Sequence, residues 1–456
     1  MSPSALLIHT RGCLRLFALS LIASLGLLTT CGDGGDGADP ITSPGDDDSA
    51  ELTTLQSSKA RASAAAIDAA DLDALVSSNT QFAFGLYESL RAESDGNLFY
   101  SPYSISLALA MTWAGARGET DAQMADVLRF SLPSERLHPA FNALEQELVS
   151  RGRNLPRDED GTGFQLSIAN SIWGQREFDF EDSFLDLLAE QYGAVMRLVD
   201  FIGSPDPSRL LINDWVAQRT EDRIKDLLPE GSVNVLTRLV LTNAIYFNAS
   251  WLDPFDPEQT VDGAFSKLDG SSVTTPMMNH SVRTVYAGGE GYQAVELPYV
   301  GDEVSMVVIL PEADDFGAFE SDLDRDTLEG ITRDLSDTQV TLTMPRFEFE
   351  ADVGLSEVLK GLGMPIAFEP PGADSGADFS GMDGRRDLFI HDVLHKAFVA
   401  VDEEGTEAAA ATAVIVGVRS MPPSATVVID RPFIFLIRDR ATGTVLFLGR
   451  VVDPTS

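Results

Sequence analysis

The sequence predicts an α+β fold, a single domain in which helices pack on large, mainly antiparallel β-sheets. Three observations predict it. Amphipathic helical patterns dominate the first half of the chain and continuous apolar strand runs the second, with no βαβ alternation. From residue 68 to 456 no linker, low-complexity break or internal repeat interrupts the pattern, although length alone, at about 150 residues per domain, suggests three domains. Both cysteines, Cys13 and Cys31, precede that body, so a hydrophobic core must hold it without disulfides. A 44% apolar composition is enough for such a core.

Residues 1–30 read as a targeting segment. Arg11 and Arg15 flank the start of an apolar run, LFALSLIASLGLL (16–28), too short for a stable membrane span. The run ends in Leu28-Thr29-Thr30-Cys31-Gly32, which resembles a bacterial lipoprotein signal with Cys31 as the lipidated first mature residue, departing from it at Thr30. An ordinary secretory signal exports the chain equally. The expectation is therefore an exported protein, extracellular or held at the cell envelope by a lipid. Residues 31–67, rich in Gly, Asp, Ser and Ala, read as an acidic tether with too little apolar content to fold.

Within the body (68–456), SSNTQFAFGLYESLRAE (77–93) places Phe82, Leu86 and Leu90 on one helical face behind a Ser/Asn cap. SPYSISLALAMTWAGA (101–116) is apolar all round, hence a buried helix. FEDSFLDLLAEQYG and SRLLINDWVAQRTEDRIKDLL follow as amphipathic helices. Strands then take over. TQVTLTMPRFEFE (338–350) alternates, with Val340, Leu342 and Met344 on one side. LVLTNAIYF, VSMVVILP, ATVVID, PFIFLIRD and TVLFLGRVV are continuous apolar runs between turn residues.

Composition also excludes. With 71 acidic against 32 basic residues the formal charge is −39, which repels phosphate backbones and anionic lipid, so nucleic acid is not a partner. His9, His138, His280, His391 and His395 form no HExxH pair, and no GxSxG elbow or glycine-rich phosphate loop occurs. Asp322-Leu-Asp324-Arg-Asp326 opens like a calcium loop but lacks the sixth-position Gly and carries Arg333 at the twelfth, so it reads as an acidic helix approach. No metal, cofactor or enzymatic activity is expected.

The segment EEGTEAAAATAVIVGVRSMPP (403–423) is unlike the rest. Taken as a strand, one face carries Thr406, Ala408, Ala410, Thr412, Val414 and Val416, small and then apolar, while Glu407 falls opposite. Pro422 and Pro423 deny it a regular ladder at its far end. It can be an exposed loop or a buried strand, a bistable element.

Five motifs in order resemble the serpins across the whole body: Asn97-Leu-Phe-Tyr-Ser-Pro-Tyr-Ser104; Leu241-Thr-Asn-Ala-Ile-Tyr-Phe247 with Trp251; His395-Lys396, ten residues before Gly405; Arg431-Pro-Phe-Ile-Phe-Leu-Ile437; and Leu446-Phe-Leu-Gly-Arg450 with Asp453-Pro454. The resemblance implies that Ser101, Ser104, Asn243 and His395 hydrogen-bond beneath the main sheet where it opens, and that Trp251 is the tryptophan of that sheet. It implies that Glu403, Gly405, Thr406, Glu407, Ala408, Ala409, Ala410 and Ala411 are the hinge of an exposed reactive-centre loop. In the family the scissile bond follows the residue sixteen positions after the hinge Glu, so the resemblance implies Arg419-Ser420 when counted from Glu403; Arg419 is also the single basic residue between 405 and 430. A trypsin-like serine protease is then the expected covalent partner, trapped by a monomeric suicide inhibitor that touches membrane only through a lipid on Cys31. A binding or scaffold protein whose loop is cut without trapping is the alternative, and the alanine-rich hinge counts against it.

Overall fold

The computed structural model describes residues 52–64, 67–153, 155, 164–372, 375–406 and 423–456, all within the contact unit Asp48–Ser456. In chain order the helices are α1 (Ala69–Glu93), α2 (Pro102–Trp113), α3 (Gly118–Val127), α4 (Ser134–Ser150), α5 (Asp182–Leu187), α6 (Pro205–Arg219), α7 (Phe316–Asp322), α8 (Arg325–Asp334), α9 (Leu355–Leu362) and α10 (Ser380–Asp383). The strands are β1 (Thr53–Leu55), β2 (Leu98–Tyr100), β3 (Phe164–Gln175), β4 (Met196–Val199), β5 (Leu239–Ser250), β6 (Val261–Ser266), β7 (Ser272–Gly289) and β8 (Tyr292–Pro298). After them come β9 (Val304–Pro311), β10 (Ser336–Pro345), β11 (Phe347–Gly354), β12 (Asp392–Val401), β13 (Gly405–Thr406), β14 (Ser424–Val428), β15 (Phe433–Asp439) and β16 (Val445–Val451).

Two sheets result. The main sheet runs β1-β4-β3-β5-β13-β12-β11; the second runs β14-β10-β7-β8-β9-β15-β16-β2, with β6 on β7. Most pairings are antiparallel as expected, but β3–β4, β5–β12 and β10–β14 are parallel, so both sheets are mixed. An aromatic cluster ties the sheets together: Phe99 of β2 stacks on Phe447 (5.0 Å) and Phe435 (5.7 Å) and meets Phe349 of β11 edge-on. On the main sheet's other face α6 is pinned by aromatic and cationic contacts. Its Trp215 meets Trp173 of β3, and the Arg197 guanidinium lies 4.6 Å from the Trp215 ring.

The helix read over 77–93 begins at Ala69. Asp68 caps it, accepting the Ala70 N–H, and the alanine-rich first turns favour helix over the expected Ser/Asn cap. Asn79 instead points inward and accepts from Ser106. The helix over 208–228 stops at Arg219, because Glu221, Asp222 and Asp226 take left-handed backbone conformations. The stretch 338–350 is two strands in different sheets, split at Pro345-Arg346 where the chain crosses between them. Asp324 does lead into a helix, capping α8 by accepting the Thr327 N–H. Residues 53–55, assigned by composition to an unfolded tether, form β1 against β4: two threonines and a leucine suit a short edge strand despite the polar surroundings.

Candidate functional site

The site is built along β5 and β12. These strands pair directly, in parallel, from Val240↔Asp392 to Ile245↔Ala397. Above that they diverge around β13, which is antiparallel to both: Thr406 pairs with Ala249 of β5 and Val401 of β12. The wedge has a sequence cause. Gly405 lies where a Cβ would sit 2.2 Å from the Ala249 carbonyl oxygen, so only glycine lets the strand enter there. Asp402 shapes the turn before it, its carboxylate accepting the N–H groups of Glu404 (2.9 Å) and Gly405 (3.2 Å).

The upper end is tightly held. Trp251 donates its indole N–H to the Asp402 carbonyl (3.0 Å) and its backbone N–H to the Glu404 carbonyl (2.8 Å), and stacks on Tyr299 at 4.6 Å. The Tyr299 hydroxyl is 2.8 Å from Thr406 Oγ1, and Thr406 is buried. Glu403 is buried too. Burial works to raise its pKa, but hydrogen bonds from Arg346 and Thr260 outweigh it and hold the carboxylate below its ordinary value.

The lower end is six positions along β5 from Ala249, about 20 Å at a strand's rise. There the Ser101 backbone N–H donates to His395 Nε2 (3.1 Å), which leaves Nδ1 to donate to Asn243 Oδ1. Asn243 Nδ2 donates to Ser104 Oγ (2.7 Å) and to Asn170 Oδ1 (2.7 Å), and Asn170 returns a bond to the Ser104 carbonyl. Ser101 Oγ donates to Leu446 O (2.6 Å) and accepts the Ser104 N–H, capping α2. Burial pushes His395 down to about 3, with the Asn243 contact opposing, so the imidazole is neutral. The network couples β3, β5, β12, β16 and α2 across the line where β5 and β12 meet.

Ser101, Ser104, Asn243 and His395 are thus brought together, and Trp251, Glu403, Gly405 and Thr406 converge at the other end. Glu407, Ala408, Ala409, Ala410, Ala411, Arg419, Ser420 and Cys31 lie outside the described residues. The chain re-enters at Pro423, and β14 pairs on β10 at the edge of the second sheet. Sequence reasoning missed Asn170, Tyr299, Thr260 and Arg346. Only Asn170 left a trace, as an amide within an otherwise strand-like Ile168–Ile172 run.

The serpin (serine protease inhibitor) family model matches residues 77–454, so the chain belongs to the serpin family. Antithrombin-III of Mus musculus is 39% identical over 389 residues, covering 83% of this chain and 82% of that protein. The leukocyte elastase inhibitor of Bos taurus is 38% identical over 397 residues, 84% of this chain and 100% of that protein. The crystal structure of tengpin, a thermophilic serpin in the native state, superposes with a TM-score of 0.73 at 30% identity, covering 88% of this chain and 97% of that one.

Proposed function

We propose that the chain is a suicide inhibitor of trypsin-like serine endopeptidases, cut at Arg419-Ser420 and trapping its target by inserting the cut loop between β5 and β12. The observation that carries this is the parallel β5–β12 pair with β13 seated antiparallel to both at its upper end. Parallel pairing is the weaker kind, and a strand antiparallel to both neighbours replaces one such ladder with two better ones. Extending the β13 register sets Thr412 opposite Asn243 and His395, and Val416 opposite Leu239, where β5 begins. Ala408, Ala410, Thr412, Val414 and Val416 follow Thr406 onto the core side, with Glu407 on the other. Arg419 falls three positions beyond the slot, so cleavage there frees the length the slot accepts.

In chemical terms, the protease serine attacks the Arg419 carbonyl carbon and the Ser420 amine leaves, giving an acyl-enzyme. Insertion then competes with deacylation. Each valine moved from water to core contributes about 1.5–3 kcal/mol, and the ladder adds hydrogen bonds. The protease is carried with Arg419, and a displacement of about 1 Å in its catalytic groups lowers rate about a hundredfold. Arg419 suits a pocket that holds an acidic residue. The protein itself turns nothing over.

Incubation with trypsin should give an SDS-stable adduct and a released carboxyl-terminal fragment beginning at Ser420, read by mass spectrometry. A cleaved band without adduct would leave a substrate, not a trap. Arg419→Leu should slow association with trypsin by at least about a hundredfold, because the enzyme's buried carboxylate loses its partner, while raising inhibition of enzymes with apolar pockets. Undiminished trypsin inhibition would move the scissile bond elsewhere.

A further inference from the structure

Arg197 stands at the centre of an arrangement that packing alone does not require. It lies on β4 between two cross-strand neighbours, Trp173 of β3 and the exposed Thr54 of β1. Its guanidinium is 5.6 Å from the Trp173 ring and 4.6 Å from the Trp215 ring of α6, and its Nε donates to Ser171 Oγ (3.0 Å). The two indoles meet edge-on at 5.5 Å, so the arginine is held against both. A second guanidinium, that of the exposed Arg219, comes from one turn further along α6 and lies 5.5 Å from the Trp215 ring.

Two facts set this cluster apart. Among the described residues neither guanidinium has a carboxylate partner, although the chain carries 71 acidic residues for 32 basic ones. Elsewhere the sequestered arginines Arg151, Arg438 and Arg450 are each matched to a buried carboxylate, Asp439, Glu296 and Glu320. Arg197, half-buried, is faced by another cation instead: burial first, then Arg219, hold its pKa below the ordinary value. The dipole of α6 accounts for Arg219 in the last helical turn, but not for Arg197. The indoles hold the plane of the Arg197 guanidinium and Ser171 takes its Nε, which leaves the two Nη groups without an acceptor among the described residues.

We infer that Arg197, Arg219 and the Thr54 hydroxyl form a binding site for a small dianionic oxyanion, a phosphate or sulfate group, on the α6 face of the main sheet. A guanidinium fixed in its plane presents parallel N–H groups that match two oxygens of such an anion. One dianion also neutralises two cations that otherwise repel each other. A single ion meets only the field within about a Debye length, roughly 8 Å at physiological salt, whereas a polyanion is repelled along its length by the −39 charge of the chain. The site uses no residue of β5 or β12, so its occupancy is read without any protease.

The test titrates the full, intact chain with inorganic phosphate against sodium chloride at equal ionic strength, following heat and tryptophan emission. Saturable one-to-one binding is expected with a Kd of about 1 mM, as for a few charge-assisted contacts at a surface. Emission should change with it, because Trp215 carries both cations, and sulfate should compete. Phosphate at about ten times that Kd should raise the melting temperature by about 2 °C. Arg219→Gln should weaken binding at least about fivefold through the lost charge-assisted contact. Arg197→Gln should abolish it, and Arg283→Gln, which removes a cation paired with Asp337, should leave it unchanged. Because Arg197 is packed, Arg219→Gln decides the matter if the Arg197 variant does not fold. A phosphate effect no larger than that of chloride, or wild-type affinity in Arg219→Gln, would overturn the site. Tighter binding of a sulfated polysaccharide, counted per sulfate, than of free sulfate would overturn its assignment to a small anion.

Discussion

His395 sits at the meeting of two strands and a helix cap, and its neutrality is a stability statement. Its folded pKa is depressed from 6.5 to about 3 by burial, so below 6.5 the unfolded chain takes up a proton that the native protein refuses. Stability present above pH 6.5 is therefore lost as pH falls toward 3, at about 1.4 kcal/mol per pH unit once the unfolded imidazole is fully protonated. His138, lowered to about 4 beside Tyr192, and His280, also lowered by burial, act in the same direction. Between pH 6.5 and 5, above the ordinary carboxylate range, His395→Gln should remove one imidazole's share of that dependence, read from urea midpoints at the two pH values; an unchanged slope would mean that His395 is charged in the fold. At this scale the sequence was partly legible. Ser101, Ser104, Asn243 and His395 stood out through motif spacing and Asn170 left only an amide in a strand-like run, whereas Tyr299 and Arg346 act through partners far along the chain that no local pattern reveals.

At the scale of elements, β13 decides the behaviour of the hinge. Two residues long, it already occupies the top of the slot, with Thr406 buried against Tyr299. Thr406→Arg would place an unpaired charge in that position at a cost of several kcal/mol. Insertion should then lag deacylation, and trypsin should yield mainly cleaved protein where the wild type yields adduct, scored as the ratio of the two bands. Wild-type stoichiometry would show that the top of the slot tolerates a charge at Thr406 and that β13 does not limit insertion of the residues after it. Elements with strong periodicity were readable: Val340, Leu342 and Met344 are buried on β10 as their alternation requires. The errors fell where chain geometry overrides pattern. Pro345 separates two strands that read as one, acidic residues in left-handed conformations end α6 early, and β1 is fixed by the β4 edge it meets, which is invisible in its own polar surroundings.

For the whole molecule, the central claim is metastability: a sheet with a weaker parallel ladder at its centre and a strand to receive. The α+β class was legible because helices and strands segregate along the chain, while the mixed pairing was not, since periodicity reports burial and not strand direction. The direct measurement is the melting temperature of the intact protein against the same protein cleaved at Arg419-Ser420. Insertion through Val416 is worth on the order of 10 kcal/mol in buried side chains and ladder bonds. Against an unfolding entropy of about 0.8 kcal/mol/K for a body of this size, that is a rise of about 12 °C on cleavage. Equal melting temperatures would contradict the account, because a loop that gains nothing by entering the sheet cannot hold a protease.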